Sequence, residues 1–162
     1  MGAKKKKQMG VWGLIIALVV IIFGGVAFMG ALGGWFGNTK VILDEEYKGG
    51  FDGYTELSVE DYDKLVAERK SFVIFVDQNG CTTADRLREF VRKWAIEKGV
   101  KVYRMMFADV RESALHKYVT YYPSVVIVSK GKPVAWLRAD ADEDADAYNE
   151  EGDFRAWISK YL

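Results

Sequence analysis

The chain has 162 residues, half of them apolar, with 23 basic and 23 acidic side chains, 16 glycines, two prolines and a single cysteine. That length suits one domain with an appendage. One cysteine excludes a disulfide within the chain and a four-thiolate zinc site, and a mean hydropathy of −0.07 excludes a multi-span membrane protein. The even charge balance conceals two different materials. Before Lys40 the only charged side chains are Lys4, Lys5, Lys6 and Lys7; setting these four aside leaves 19 basic groups against 23 acidic ones, a net of −4. An acidic remainder argues against nucleic acid as a partner.

In chain order, the lysine cluster forms a basic tail over residues 1–10, and Val11 to Leu32 follow without a charge. As a helix this run extends roughly 33 Å, enough to cross a hydrocarbon core of about 30 Å. Positive charge retained on the near side predicts a cytoplasmic N-terminus and an extracytoplasmic remainder, in a bacterial envelope or a secretory lumen alike. The competing reading is a cleaved secretory signal ending near Gly25-Val26-Ala27, but its apolar core would be longer than the usual 7–15 residues. Gly30 and Gly34 form a G-x-x-x-G pair, a pattern that lets two such helices approach. Residues 33–53 are glycine-rich and aperiodic, and predict a juxtamembrane linker in which Trp35 and Phe36 suit the membrane interface. The short run Val41 to Leu43 fits either a strand or a tether contact.

From residue 54 the pattern is that of a folded domain. Ser58-Val59-Glu60-Asp61 has the form of a capping box, opening a helix to about Arg69. Ser71 to Val76 (SFVIFV) predicts a strand covered on both faces, broken by Asp77-Gln78-Asn79-Gly80. The next helix carries Leu87, Phe90, Val91, Trp94 and Ala95 on one stripe, with Arg86, Arg88, Glu89, Arg92 and Lys93 opposite as a solvated face. Thr82 with Asp85 forms its expected capping box, and Gly99 its stop. Val100 to Phe107 reads as a strand and Glu112 to Tyr118 as a short helix. After Tyr122-Pro123, the strands Ser124 to Ser129 and Pro133 to Arg138 form a hairpin, with Pro133 marking the second strand as an edge or standing as its first residue. Phe154, Trp157, Ile158, Tyr161 and Leu162 place a final amphipathic helix. The order α-β-α-β-α-β-β-α predicts an α/β fold with a mixed sheet flanked by helices.

Residues 54–162 resemble the thioredoxin-like superfamily on four features: the strand SFVIFV leading into a cysteine, that cysteine opening a long helix, Tyr122-Pro123 before SVVIV, and the hairpin SKGKPVAWL. The resemblance sets Cys81-Thr82-Thr83-Ala84 where the family has C-x-x-C, and makes Cys81 the candidate catalytic residue. It also implies a cis bond at Tyr122-Pro123, with these two residues receiving the backbone of a client peptide. Three positions depart from the pattern: Ala84 replaces the resolving cysteine, Ile74 the buried acid, and Gly80 the preceding tryptophan. A cysteine at a helix start lies near unsatisfied N–H groups, which favour a thiolate.

Two functions stand open. One is monothiol redox or thiol-capture activity on client proteins, peptides or low-molecular-weight thiols; the other is a redox-inactive protein-binding module. Neither requires a cofactor. One metal candidate arises: Asp140, Asp142, Asp144, Asp146 and Glu151 fall at positions 1, 3, 5, 7 and 12 of a calcium loop, although Ala145 stands where such loops turn on glycine. His116, the lone histidine, lacks partners for zinc or a Cys-His dyad and is expected at the surface.

Overall fold

In the computed structural model, residues 40–162 are described, and they build a five-stranded sheet in the order β1-β3-β2-β4-β5. The strands are β1 (Tyr54–Glu56), β2 (Phe72–Asp77), β3 (Val102–Met106), β4 (Ser124–Ser129) and β5 (Lys132–Trp136). β1 and β2 run parallel to β3, whereas β4 is antiparallel to both β2 and β5. Five α-helices accompany them: α1 (Val59–Ala67), α2 (Thr82–Lys98), α3 (Phe107–Glu112), α4 (Ala145–Asn149) and α5 (Glu151–Ile158). α1 packs with α3, and α2 packs with α4 and α5. The apolar run 11–32, its proposed membrane crossing, the G-x-x-x-G pair and the basic tail lie outside the described residues. Among the described residues no helix is long and apolar enough to cross a membrane.

The centre of the sheet is where the sequence is most apolar. Every residue of β2 is buried, and Val125 to Val128 of β4 are fully inaccessible. Continuous Val, Ile and Phe suit strands covered on both faces, because neither face meets water. β5 is an edge strand, as Pro133 predicts. The turn before it uses Lys130 at φ 50° and Gly131 at φ 76°, the positive pair that matches a two-residue hairpin to strand twist. A Cβ on Gly131 would also stand 2.4 Å from the Val66 carbonyl oxygen, so α1 closes directly over this turn.

Ser58 caps α1 as expected, its Oγ accepting from the Asp61 N–H at 3.1 Å. Gly99 ends α2 in the left-handed conformation. The expected short helix 112–118 is displaced: α3 ends at Glu112 and a 3-10 turn covers Ala114–Lys117.

Within the linker expected over 33–53, the described residues 40–53 are packed onto the domain rather than free of it. Leu43 and Tyr47 are buried in the core, and Tyr47 packs against Phe72 and Tyr103. Main-chain bonds fasten the same segment: Val41 N–H to Tyr161 O, Asp44 N–H to Ser71 O, and Lys101 N–H to Tyr47 O. Two apolar side chains separated by charged neighbours carry no period, so composition reads as tether what packing makes core. Val41 to Leu43 is thus a docked segment and not a strand.

Candidate functional site

The chain leaves β2 at Asp77, crosses Gln78, Asn79 and Gly80, and enters α2 at Cys81. Gly80 has φ 74°, a conformation that side chains other than glycine rarely adopt, and this is the turn that redirects the chain from strand to helix. Cys81 is itself the N-cap of α2, with extended dihedrals (φ −102°, ψ 113°) and its carbonyl accepting from the Asp85 N–H at 3.0 Å. Its side chain makes no capping hydrogen bond, and the residue is half-buried.

The expected Thr82–Asp85 capping box does not form. Thr82 is already inside the helix, and the Asp85 carboxylate turns to Arg88, whose Nη1 donates to Oδ1 at 2.7 Å. Cysteine is a weak hydrogen-bonding group, so the sulfur is left available at the mouth of the helix. Ala84, one turn on, is fully buried, and Ile74 lies in the wholly apolar centre of β2.

The second half of the site comes from the entry to β4. Val76 pairs with Ser124, so the residues preceding Ser124 emerge at the same end of the sheet as the 77–81 loop. The Tyr122–Pro123 bond is cis. Pro123 is buried while Tyr121 and Tyr122 are 55% and 41% exposed. The Tyr122 ring rests on Phe107 with centroids 4.8 Å apart. The main-chain N–H and C=O groups of Tyr121 and Tyr122 take no hydrogen-bond partner among the described residues. Main chain left unpaired beside a strand end can accept hydrogen bonds from an added peptide.

On the β3 side of β2, away from β4, lies an ionic cluster absent from the sequence reading. Asp77 is fully buried, and its carboxylate receives Arg88 Nε at 3.1 Å and Nη2 at 2.7 and 2.9 Å, Arg104 Nε at 2.8 Å and the Gln78 N–H at 2.7 Å. Arg104 continues to Glu56 and Asn79. Burial opposes ionisation of Asp77, but the Arg88 hydrogen bonds, the Gln78 amide and the two guanidinium charges prevail and hold the acid below its ordinary value. A carboxylate so engaged staples β2, β3 and α2 together and has no free lone pair for moving a proton. Arg88 therefore leaves the solvated face expected for it and folds over Phe75 towards Asp77. The only local signal was an acid ending an apolar strand; its partners stand 11 and 27 residues away.

The calcium loop is not formed. Asp142–Asp144 make a 3-10 turn, α4 occupies Ala145–Asn149, and Glu151 opens α5. Asp144 accepts from the Arg138 main-chain N–H and Nε, and Glu151 pairs with Lys93 and Arg155. Local arginines and lysines disperse the carboxylates that a cation would have to gather, and among the described residues no three acidic, histidine or cysteine side chains converge on one point. Asp140, Asp142 and Asp146 thus remain separate surface groups. His116 is exposed, with Nδ1 3.3 Å from the Val119 carbonyl oxygen. A cleft of about 490 Å³ lined by Leu57, Lys64, Lys101 and Tyr103 includes neither Cys81 nor Tyr122.

No family model matches the chain, and no curated protein does. Solved structures do. Thioredoxin from Fasciola hepatica superposes with a TM-score of 0.51 at 21% identity, covering 67% of this chain and 99% of that one. The domain has a thioredoxin-like fold. Oxidised mitochondrial thioredoxin 3 from Saccharomyces cerevisiae (TM-score 0.50, 14% identity, 65% and 93% covered) and oxidised thioredoxin from Plasmodium falciparum (0.50, 14%, 67% and 97%) give the same match. Identities this low establish the thioredoxin-like architecture alone.

Proposed function

We propose that the chain is a membrane-anchored, extracytoplasmic thioredoxin-like protein that captures thiols through Cys81. The observation that carries this reading is the position of Cys81: a half-buried residue at a helix N-cap, its side chain uncommitted to capping, at the sheet end where Tyr121 and Tyr122 offer open main chain. In the capture step the Cys81 thiolate attacks one sulfur of a client or glutathione disulfide. A Cys81–client S–S bond forms, the original S–S bond breaks, and the departing thiolate takes a proton from water. With Ala84 at the family's resolving position, a second thiol from outside must release the client.

Insulin reduction with a supplied thiol tests this. The reading expects turnover that disappears in Cys81→Ser, and equal rates in the two proteins contradict it. A second reading, a binding module without redox chemistry, is favoured by the fully buried Ala84, which leaves no partner thiol in the helix. It expects no insulin reduction by either protein, with peptide binding retained.

The anchor is the uncharged stretch 11–32, and the lysines before it assign the cytoplasmic side. Labelling of Cys81 by an impermeant maleimide in sealed vesicles of known orientation checks the topology. Labelling from the extracytoplasmic side supports it; labelling from the cytoplasmic side alone contradicts it.

A further inference from the structure

The acidic segment before the last helix has a role that its charge conceals. It delivers α4, whose Ala147 and Tyr148 are buried while the flanking carboxylates stay outside. The Tyr148 hydroxyl donates to the Pro123 carbonyl oxygen at 2.9 Å, a buried contact. Burial first, and then the charges of Asp144 and Asp140, keep this phenol protonated far beyond neutral pH, so it remains a donor. The next residue, Asn149, accepts from Arg86 Nη1 at 2.9 Å, and Arg86 lies on α2, the helix that Cys81 opens. Ser124 is tied from behind as well, its Oγ donating to the Leu137 carbonyl oxygen at 2.7 Å. A single short helix therefore holds both halves of the site: the thiol's helix through Asn149 and the peptide-receiving strand through Tyr148.

We propose that Tyr148 is a positioning residue for peptide capture: by fixing the Pro123 carbonyl, it holds the open main chain of Tyr121 and Tyr122 in register with the sulfur of Cys81. This rests on the thiol-capture reading above. It predicts a selective effect. A disulfide that docks through its own backbone needs the strand in place, whereas a disulfide without a peptide backbone needs only the sulfur.

The test uses the full chain and two probes with the same leaving group, 5,5′-dithiobis(2-nitrobenzoate) and an extended cysteine peptide disulfide-linked to 2-nitro-5-thiobenzoate. In each case Cys81 forms a new S–S bond and the coloured nitrothiobenzoate leaves with the electron pair of the broken one. Tyr148→Phe keeps the ring and removes the hydroxyl. The expected result is peptide capture slowed about tenfold with the small probe changed less than about twofold, the scale of a modest misplacement of reacting groups. Amide hydrogen exchange gives a second readout: Val125 should exchange faster in the variant while Val73 to Val76 stay protected. Equal rates for both probes, an equal loss for both, or a variant that fails to fold overturns the proposal, since each makes the hydroxyl either idle or a general structural support. If wild-type chain reacts with neither probe, the thiol-capture reading itself fails. If it captures the peptide and Tyr148→Phe does so equally well, that reading stands and only the role of Tyr148 falls.

Discussion

Asp77 and Cys81 stand four residues apart at the same end of the sheet, and they are finished in opposite ways. Asp77 is sealed, with two arginines and a main-chain amide satisfying its carboxylate. Cys81 is open, occupying a capping position with a side chain that caps nothing. A buried charge must be fully partnered because desolvation costs several kcal/mol, whereas a thiol that is to attack a disulfide must remain accessible to it. The contrast separates what holds this end of the domain from what, on the thiol-capture proposal, would act there.

The largest expected effect breaks the sealed half. Asp77→Ala removes the buried carboxylate shared by Arg88 and Arg104 and leaves them only the exposed carboxylates of Asp85 and Glu56. The partial exposure of the two arginines places the loss at the lower end of the range for broken buried pairs, about 3 kcal/mol, measurable by urea unfolding. The pH dependence has a definite sign. Because the folded value of Asp77 lies below its ordinary 3.8, its contribution is present above that value and fades as acid carries the pH down through the folded one. The acid limb of wild-type stability should therefore flatten in Asp77→Asn, and an unchanged limb would show that the carboxylate is not the group responsible.

Tyr122→Ala acts on the open half. It removes a half-exposed ring from Phe107, so stability should fall by only about 1 kcal/mol, while capture of a peptide disulfide falls more than capture of a small one. A stability loss as large as that of Asp77→Ala would place Tyr122 with the structural cluster.

The smallest effect has the opposite sign. Serine is a strong N-cap and cysteine is not, so Cys81→Ser should stabilise the domain by about 0.5–1 kcal/mol, read in the same urea transition, while abolishing thiol capture. A stability gain coupled to lost activity is what a residue retained for chemistry produces. Destabilisation would instead mean that the sulfur packs.

The sheet and the thiol were legible in the sequence because they rest on local patterns. Continuous apolar runs gave β2 and β4, a helical stripe gave α2, and Pro133 marked the edge. The cis bond at Tyr122-Pro123 was implied only by the resemblance to the thioredoxin-like superfamily. What escaped depends on distance. Leu43 and Tyr47 enter the core singly from a glycine-rich stretch, and Arg88 on a charged face reads as solvated until Asp77, 11 residues earlier, is seen beneath it. Tyr148 was hidden by the acidic residues around it, and those same residues suggested a calcium loop because spacing alone does not register the arginines and lysines that occupy the carboxylates.

Glutathione disulfide at neutral pH, followed by intact-mass spectrometry of the wild-type chain beside Cys81→Ser, asks directly whether the open thiol reacts. A single glutathione adduct on the wild type, absent from Cys81→Ser and reversed by added thiol, is the predicted result. A wild-type chain that stays unmodified under conditions that modify an unfolded control would contradict it, and would leave the thioredoxin-like domain as a binding module.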